Sequence, residues 1–172
     1  LLMGTRCGDI DPGVLLHLER VEGFDTAQLD ELLNTRSGLL GLSGISSDMR
    51  EIQAAAEAGE RRALLALKTF GYRVRKYIGA YVAAMGGLDV LVFTGGIGQG
   101  SAGVRSLAVQ GLGCMGIQLD AQRNLEARGC DEICAISTDA SPVTILVIPA
   151  NEEQMIARET LHGGAGTLGA LS

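Results

Sequence analysis

Tryptophan is absent from the sequence, and aromatic residues make up only 3% of its 172 residues. Its apolar runs are far too short to cross a bilayer, and its first residues contain no apolar signal-peptide core. Basic residues are not in excess either, because the formal net charge is -6. Nucleic acid binding depends on clustered Lys and Arg, so we expect neither nucleic acid nor a membrane as a partner.

Histidine and cysteine are too scattered to indicate a zinc site. Cys130 and Cys134 could form one pair of ligands, but no second pair and no histidine cluster accompanies them. We therefore expect the four cysteines to be reduced thiols in a cytoplasmic protein. The chain opens at Leu1, which we interpret as a sign that it is part of a longer protein.

Aliphatic residues and glycine are abundant instead. Hydrophobic residues make up 47% of the chain and it has 25 glycines, which is typical of an α/β core with many tight turns. The apolar, mostly β-branched or aromatic run Val90–Phe93 predicts a strand with both faces buried. Four glycines follow within Gly95–Gly100, and a helix is predicted to begin at Ser101.

A strand, a glycine-rich turn and a helix start together present N–H groups to an anion such as phosphate. Glycine lets the main chain adopt a positive φ and approach the phosphate closely. The turn is not a Walker A loop, because no Gly-Lys-Ser/Thr follows it, and it matches the dinucleotide-binding fingerprint poorly. The alternative is a plain connection between strand and helix.

A second buried strand is predicted at Val143–Ile148, followed by Pro149–Glu153. In an open α/β sheet both turns would lie at the carboxyl ends of strands, where ligands bind. Glu152 or Glu153 would then offer a carboxylate to Mg²⁺ beside a phosphate. The alternative is that both acids only stabilise the first turn of a helix. The residues therefore predict a nucleotide-phosphate and magnesium site.

The rest of the pattern predicts mainly helices. The longest is Glu60–Met85, with Arg73, Arg75 and Lys76 on a solvated face and with Gly71 and Gly79 allowing close packing. Further helices are predicted to begin at Asp11, Asp25 or Thr26, Ser47 or Asp48, Ser101, Asp120 and Asn151. The other predicted elements are a loop over Ser37–Gly44, an ambiguous segment over Gly113–Leu119 and a strand over Glu132–Ile136.

Six segments resemble signatures of the acetate kinase and propionate kinase family, in the family's order. They are Met3–Pro12 (MGTRCGDIDP), Ser37–Gly41 (SGLLG), Ser46–Arg50 (SSDMR), Lys76–Tyr81 (KYIGAY), Phe93–Gly98 (FTGGIG) and Ile148–Glu153 (IPANEE). The resemblance implies an α/β fold, namely one lobe of the two-lobed, actin-like ATPase (ribonuclease H-like) kinase fold. It also implies phosphoryl transfer between ATP and acetate or propionate, with Mg²⁺.

The resemblance assigns roles to residues by position. Arg6 would stabilise charge on the transferring phosphoryl group, and Glu152 would bind magnesium. Contacts with the nucleotide are assigned to Asp48, Met49, Arg50, Gly96, Ile97, Gly98, Gln99 and Gly100. Gln99 and Gly100 stand where the family usually has an acid and an amide, so main-chain contacts are expected there. Ala150 replaces the family's threonine, which removes a hydroxyl group.

The resemblance also implies a division of the enzyme. Residues 1–162 are expected to form the carboxyl-terminal, nucleotide-binding lobe, and residues 163–172 a flexible tail. The amino-terminal lobe, with the acyl pocket, would be absent from this chain, so the chain alone is expected to be inactive. Homodimer formation is expected through the lobe that is present.

Plainer alternatives exist for these assignments. Arg6 could simply pair with Asp9 or Asp11 on the surface, and Asp48 could only cap a helix. At the level of function, the alternatives are another actin-like kinase, such as a butyrate kinase, and a non-catalytic nucleotide-binding module.

Overall fold

The computed structural model describes residues 1–150 and Thr160. In chain order, the elements are α1 (Pro12–Arg20), α2 (Thr26–Thr35), α3 (Gly38–Ser43), α4 (Met49–Glu57), α5 (Arg61–Met85), β1 (Val90–Phe93), α6 (Gly95–Gly100), α7 (Ala102–Val109), a 3-10 turn (Leu112–Met115), α8 (Ala121–Glu126), β2 (Cys134–Ala135) and β3 (Thr144–Val147). Within this part of the chain, no helix is both long and apolar enough to cross a membrane.

A small mixed sheet has the strand order β1-β3-β2. β1 and β3 run parallel, with Phe93 opposite Val147, whereas β2 is antiparallel to β3. The Ile148 N–H donates to the Phe93 carbonyl at 2.9 Å, so β1 and β3 end at the same edge. The prediction that the segments after both strands start at one edge of a sheet is therefore confirmed.

The prediction that β1 is buried on both faces is wrong. Val90 and Val92 are each 45% exposed, whereas Phe93 is only 8% exposed. β1 lies at the edge of the sheet in residues 1–150, and the side of Leu91 and Phe93 packs against the core. An all-apolar run does not reveal by itself how many of its faces are covered.

One hydrophobic core packs on the sheet and a second lies among helices α3, α4 and α5. The first core contains Phe93, Ala108, Val109, Leu112, Ile117, Ala127, Ile136, Val143, Ile145 and Val147. The second contains Leu2, Leu39, Met49, Ile52, Ala63, Ala66, Phe70 and Val104. Val74 of α5 packs against both, so this helix joins the two halves of the chain.

The long helix α5 follows the prediction closely, including the close packing at Gly71. The close packing predicted at Gly79 is wrong, because a Cβ there would meet only the Met115 Cε, at 3.7 Å. A Cβ at Gly71 would collide with the Leu107 side chain of α7. The predicted solvated basic face is wrong in part, because Arg73 pairs with Asp9 at 2.6 Å and Arg75 donates to the Leu107 carbonyl at 3.1 Å. These long side chains bridge to neighbouring segments that sequence spacing does not identify.

Local signals for helix starts are also confirmed. The carboxylates of Asp11, Asp25, Asp48 and Asp120 each accept a main-chain N–H at the start of a helix. The predicted Ser37–Gly44 loop is instead mostly the short helix α3. Gly38 begins α3 with a φ of +65°. The next two main-chain N–H groups, of Leu39 and Leu40, donate to the Met3 and Gly4 carbonyls.

Other boundaries differ from the predictions. The predicted strand over residues 132–136 is shorter, since β2 contains only Cys134 and Ala135. The ambiguous segment 113–119 begins within the 3-10 turn and ends in a single bridge between Leu119 and Ser137. The helix predicted from Asn151 and the predicted tail lie outside the described residues, apart from Thr160, which is helical and exposed.

Candidate functional site

A cleft of about 790 Å³ lies between the start of α4 and the glycine-rich helix α6. It is lined by Ser47, Asp48, Met49, Arg50, Gln53, Gly96, Ile97, Gly100, Ser101, Arg128 and Gly129. The two segments predicted from sequence to contact a nucleotide are 46 or more residues apart in the chain, yet both contribute residues to the lining of this one cleft.

The glycine-rich segment is the short helix α6, so its prediction as a turn is wrong. Gly95 takes φ +71 directly after the extended Thr94, and the chain then winds into α6. A Cβ added at Gly96 or Gly100 would meet nothing within 4 Å among the described atoms. The main chain of α6 is therefore open to the cleft at these positions. Gly98 packs closely against the Phe93 main chain, at 3.4 Å from an ideal Cβ.

Asp48 and Arg50 form a fork at the start of α4. The Asp48 carboxylate accepts from the Arg50 main-chain N–H at 2.8 Å and from the Arg50 Nη2 at 2.6 Å. The hydrogen bonds from the Arg50 side chain, followed by the one from its main chain, lower the pKa of Asp48 to about 2. The Arg50 side chain lines the cleft and is 87% exposed, so its remaining donors are open to solvent. Asp48 therefore caps the helix and also orients a cation.

Met49 has a different place from its two neighbours. It is 4% exposed and belongs to the core of α3, α4 and α5. Its side chain also lines the cleft, and its packing in the core holds the start of α4 against α3 and α5.

Gln53 and Ser101 connect the two walls of the cleft. The Gln53 Nε2 donates to the Ser101 Oγ at 2.8 Å, and this same oxygen accepts from the Val104 N–H at 3.0 Å. Ser101 thus caps α7 while it holds α4 in place. The cap was visible in the sequence, but its partner on α4 was not.

Arg105 is the principal residue that sequence reasoning missed. Its side chain is fully buried and donates to the carbonyls of Gly98 at 2.8 Å and Gln99 at 2.7 Å. It also donates to Asn124, to Oδ1 and to the carbonyl, both at 2.7 Å. Burial lowers the pKa of Arg105, while the carbonyl ends of two helices satisfy its donors. The one sign of this role in the sequence is that Arg105 follows Val104 within a helix whose other buried residues are apolar.

The Gln99 side chain also holds the cleft together. Its Nε2 donates to the Cys130 carbonyl at 3.0 Å, which ties α6 to the segment that follows α8. That segment carries Arg128 and Gly129 into the cleft lining. Arg128 is exposed, and its guanidinium has no hydrogen-bond partner within residues 1–150. It was not predicted from the sequence.

Arg6 lies in a loop beside the cleft and is not part of its lining. The loop is fixed by its main chain, since Ser37 and Leu39 donate to the Thr5 and Met3 carbonyls at 2.9 Å each. A Cβ at Gly4 would lie 3.3 Å from the Ser47 carbonyl, which places the loop against the cleft rim.

The proposed surface pairing of Arg6 is wrong. Asp9 binds Tyr77 and Arg73 instead, and the Tyr77 hydroxyl, more than Arg73, lowers the pKa of Asp9. Asp11 caps α1. Arg6 is exposed, and none of the other described residues accepts a hydrogen bond from its guanidinium.

An exposed arginine and open main chain make the described part of the cleft suitable for phosphate groups. Among the described residues that line it, Arg128 is a cation, and the one carboxylate, Asp48, is neutralised by Arg50. A magnesium ion needs oxygen ligands that are free, and no group of three potential ligands is present among the described residues. The predicted ligand Glu152 lies outside the described residues. The described part of the cleft therefore fits a ligand that carries phosphate groups.

The sequence of the chain is similar to the sequences of known proteins. The model of the acetokinase family matches residues 1–158. The chain belongs to the acetokinase family. Acetate kinases from Parabacteroides distasonis and Dictyoglomus thermophilum are 53% and 55% identical to it over 162 residues. These alignments cover 94% of the chain and 40% of each relative, so the chain spans less than half the length of the relatives that it matches.

Solved acetokinase structures share the fold as well. The crystal structure of Porphyromonas gingivalis acetate kinase matches 94% of the chain with a TM-score of 0.88 at 49% identity. A propionate kinase from Francisella tularensis matches 92% with a TM-score of 0.83 at 39% identity. The α/β fold with a small mixed sheet is therefore part of the actin-like kinase fold expected for this family.

Proposed function

We propose that this chain is the carboxyl-terminal, nucleotide-binding part of a short-chain carboxylate kinase. The reaction is acetate or propionate plus ATP giving acyl phosphate plus ADP, with Mg²⁺. The observation that supports this most strongly is the cleft that Asp48–Arg50 and Gly96–Gly100 form together in an acetokinase chain. Residues 1–162 form the lobe, and residues 163–172 a tail. The whole enzyme is a homodimer in the cytoplasm.

The two cleft walls divide the nucleotide between them. Asp48, Met49 and Arg50 contact the adenosine, a role that the family resemblance implies and that their common place in the cleft lining supports. The main chain of Gly96–Gly100 contacts the phosphates, where no side chain stands in the way at Gly96 and Gly100. Gln99 instead uses its amide to hold the rim.

Arg6 acts on the transferring phosphoryl group. Phosphoryl transfer requires positioning and neutralisation of spread negative charge, with little covalent chemistry by the protein. A guanidinium suits this task because its donors form a planar fork. The exposed, unpaired state of Arg6 within the described chain leaves that fork available. Glu152 would hold Mg²⁺, which neutralises phosphate charge when bound.

A chimera tests this function. The segment of the Parabacteroides distasonis acetate kinase that matches this chain is replaced by residues 1–162, and acetyl hydroxamate is measured from acetate and ATP. We expect turnover. Arg6→Ala in the chimera should lower turnover by about 10²–10³ with little change in the KM for ATP. Arg20→Ala, which removes an exposed arginine at the end of α1, is the matched control and should change neither.

The outcomes separate the proposal from its rivals. Equal losses of turnover and nucleotide affinity in Arg6→Ala would count against the role of Arg6. A folded chimera that binds ATP without forming hydroxamate would favour a non-catalytic nucleotide-binding module. A folded chimera that does not bind ATP would contradict both.

A further inference from the structure

Two thiols lie together at the rim of the cleft. Cys130 and Cys134 both donate to the Glu132 carbonyl oxygen, at 3.2 Å and 3.6 Å. Because both sulfurs contact one atom, they are close neighbours. Both cysteines are free and half-buried, and they pack against the edge of the sheet core. The nucleotide cleft and the family signatures make no use of either thiol.

The local environment changes the acidity of the Cys134 thiol. A hydrogen bond with Cys130 and, after it, burial raise the pKa of Cys134. The Arg105 guanidinium opposes this effect by favouring negative charge at Cys134. Two thiols that contact one carbonyl oxygen are close enough that, once one sulfur is oxidised, the other can attack it and form a disulfide.

The segment that carries the thiols is also a wall of the cleft. Gln99 of α6 donates to the Cys130 carbonyl at 3.0 Å. Arg128 and Gly129, directly before Cys130, line the cleft. A change of conformation between residues 128 and 134 would therefore alter the cleft, because it would move Arg128 and Gly129 and strain the hydrogen bond from Gln99 to the Cys130 carbonyl.

We propose that Cys130 and Cys134 form a reversible dithiol–disulfide pair whose oxidation by a hydroperoxide loosens the cleft rim. The thiolate of one of the two cysteines attacks the peroxide, becomes a sulfenic acid and releases water or an alcohol. The thiol of the other cysteine then attacks the sulfenic sulfur, which forms the S–S bond and releases water. The two thiols lose two electrons and two protons in total, and a thiol reductant reverses the reaction.

The disulfide removes both contacts with the Glu132 carbonyl, since neither sulfur keeps a proton to donate. The 128–134 segment must then rearrange, which weakens the hold of Gln99 on the Cys130 carbonyl. We expect nucleotide affinity to fall about tenfold on oxidation, the effect of losing one or two hydrogen bonds. This consequence rests on the proposed function, whereas formation of the disulfide does not.

The test uses the 172-residue chain with Cys7→Ser and Cys114→Ser, which leaves only the pair. Peroxide treatment should lower the intact mass by two hydrogen atoms and block alkylation of both remaining thiols, and dithiothreitol should restore both. The matched control adds Cys130→Ser, so it retains one thiol of the pair and should gain oxygen instead. Two thiols that stay alkylatable, or that gain oxygen without losing hydrogen, would overturn the proposal.

A second measurement follows binding of a fluorescent ADP analogue before and after oxidation. Weaker binding that dithiothreitol restores, in the paired variant but not in the Cys130→Ser control, supports the coupling. Unchanged binding by a chain whose mass shows the disulfide would overturn the coupling alone. Absence of binding by the reduced chain would count against the proposed function and the coupling, and the mass would still decide on the disulfide.

Discussion

Replacing Arg105 by methionine should destabilise the chain strongly, because Met keeps much of the volume and removes every donor. Four acceptors lose their partner: the carbonyls of Gly98, Gln99 and Asn124, and the Asn124 Oδ1. A buried acceptor left without a donor costs about 1–3 kcal/mol, so four cost about 4 kcal/mol or more. Release of the buried charge offsets about 2 kcal/mol of this cost, which leaves a net loss of at least about 2 kcal/mol.

Urea unfolding of the 172-residue chain measures this loss as a shift of the midpoint at constant slope. Arg61→Met is the matched control, because Arg61 is exposed at the start of α5 and its change should stay within about 0.5 kcal/mol. A double-mutant cycle with Asn124→Leu should show a coupling above about 1 kcal/mol. An Arg105→Met chain as stable as the Arg61→Met chain, or additive effects in the cycle, would refute the reasoning.

Three further predictions concern packing, charge and ligand contact. Gly71→Ala should destabilise by about 1–3 kcal/mol in urea unfolding, because its Cβ collides with Leu107, whereas Gly79→Ala has room and should be neutral or stabilising by up to about 1 kcal/mol. The Asp48 carboxyl should titrate near its lowered pKa of about 2, which carbon-detected NMR measures. Its contribution to the stability of the folded chain is therefore complete above pH 3.8 and is lost as the pH falls toward 2. A titration midpoint near 3.8 would refute the ion pair with Arg50. Arg128→Ala should weaken ADP-analogue binding about tenfold without changing the unfolding midpoint, and equal affinity would exclude Arg128 as a contact.

Local features of the fold could be predicted from the sequence. The caps Asp11, Asp48 and Asp120 depend on atoms two or three residues away, and glycine stops such as Gly86 act within one turn. The family signatures likewise identified the two segments that form the cleft. These features need no knowledge of which distant parts of the chain meet.

Features that depend on distant contacts could not be predicted. Whether Val90 and Val92 are covered is decided by the sheet order, since β1 is at the edge among the described strands. The role of Arg105 arises only because α6 and α8 both direct carbonyls at one point of α7. The same holds for Arg128, which reaches the cleft because Gln99 holds the segment after it.

The central claim is that the α4 start and the glycine-rich helix bind one nucleotide between them. A ¹H–¹⁵N NMR titration of the 172-residue chain with ADP tests it directly. The account predicts saturable shifts of the Arg50 amide and of the amides within Gly96–Gly100, all fitting a single Kd. Shifts in only one of these segments, or shifts that fit different Kd values, would contradict it.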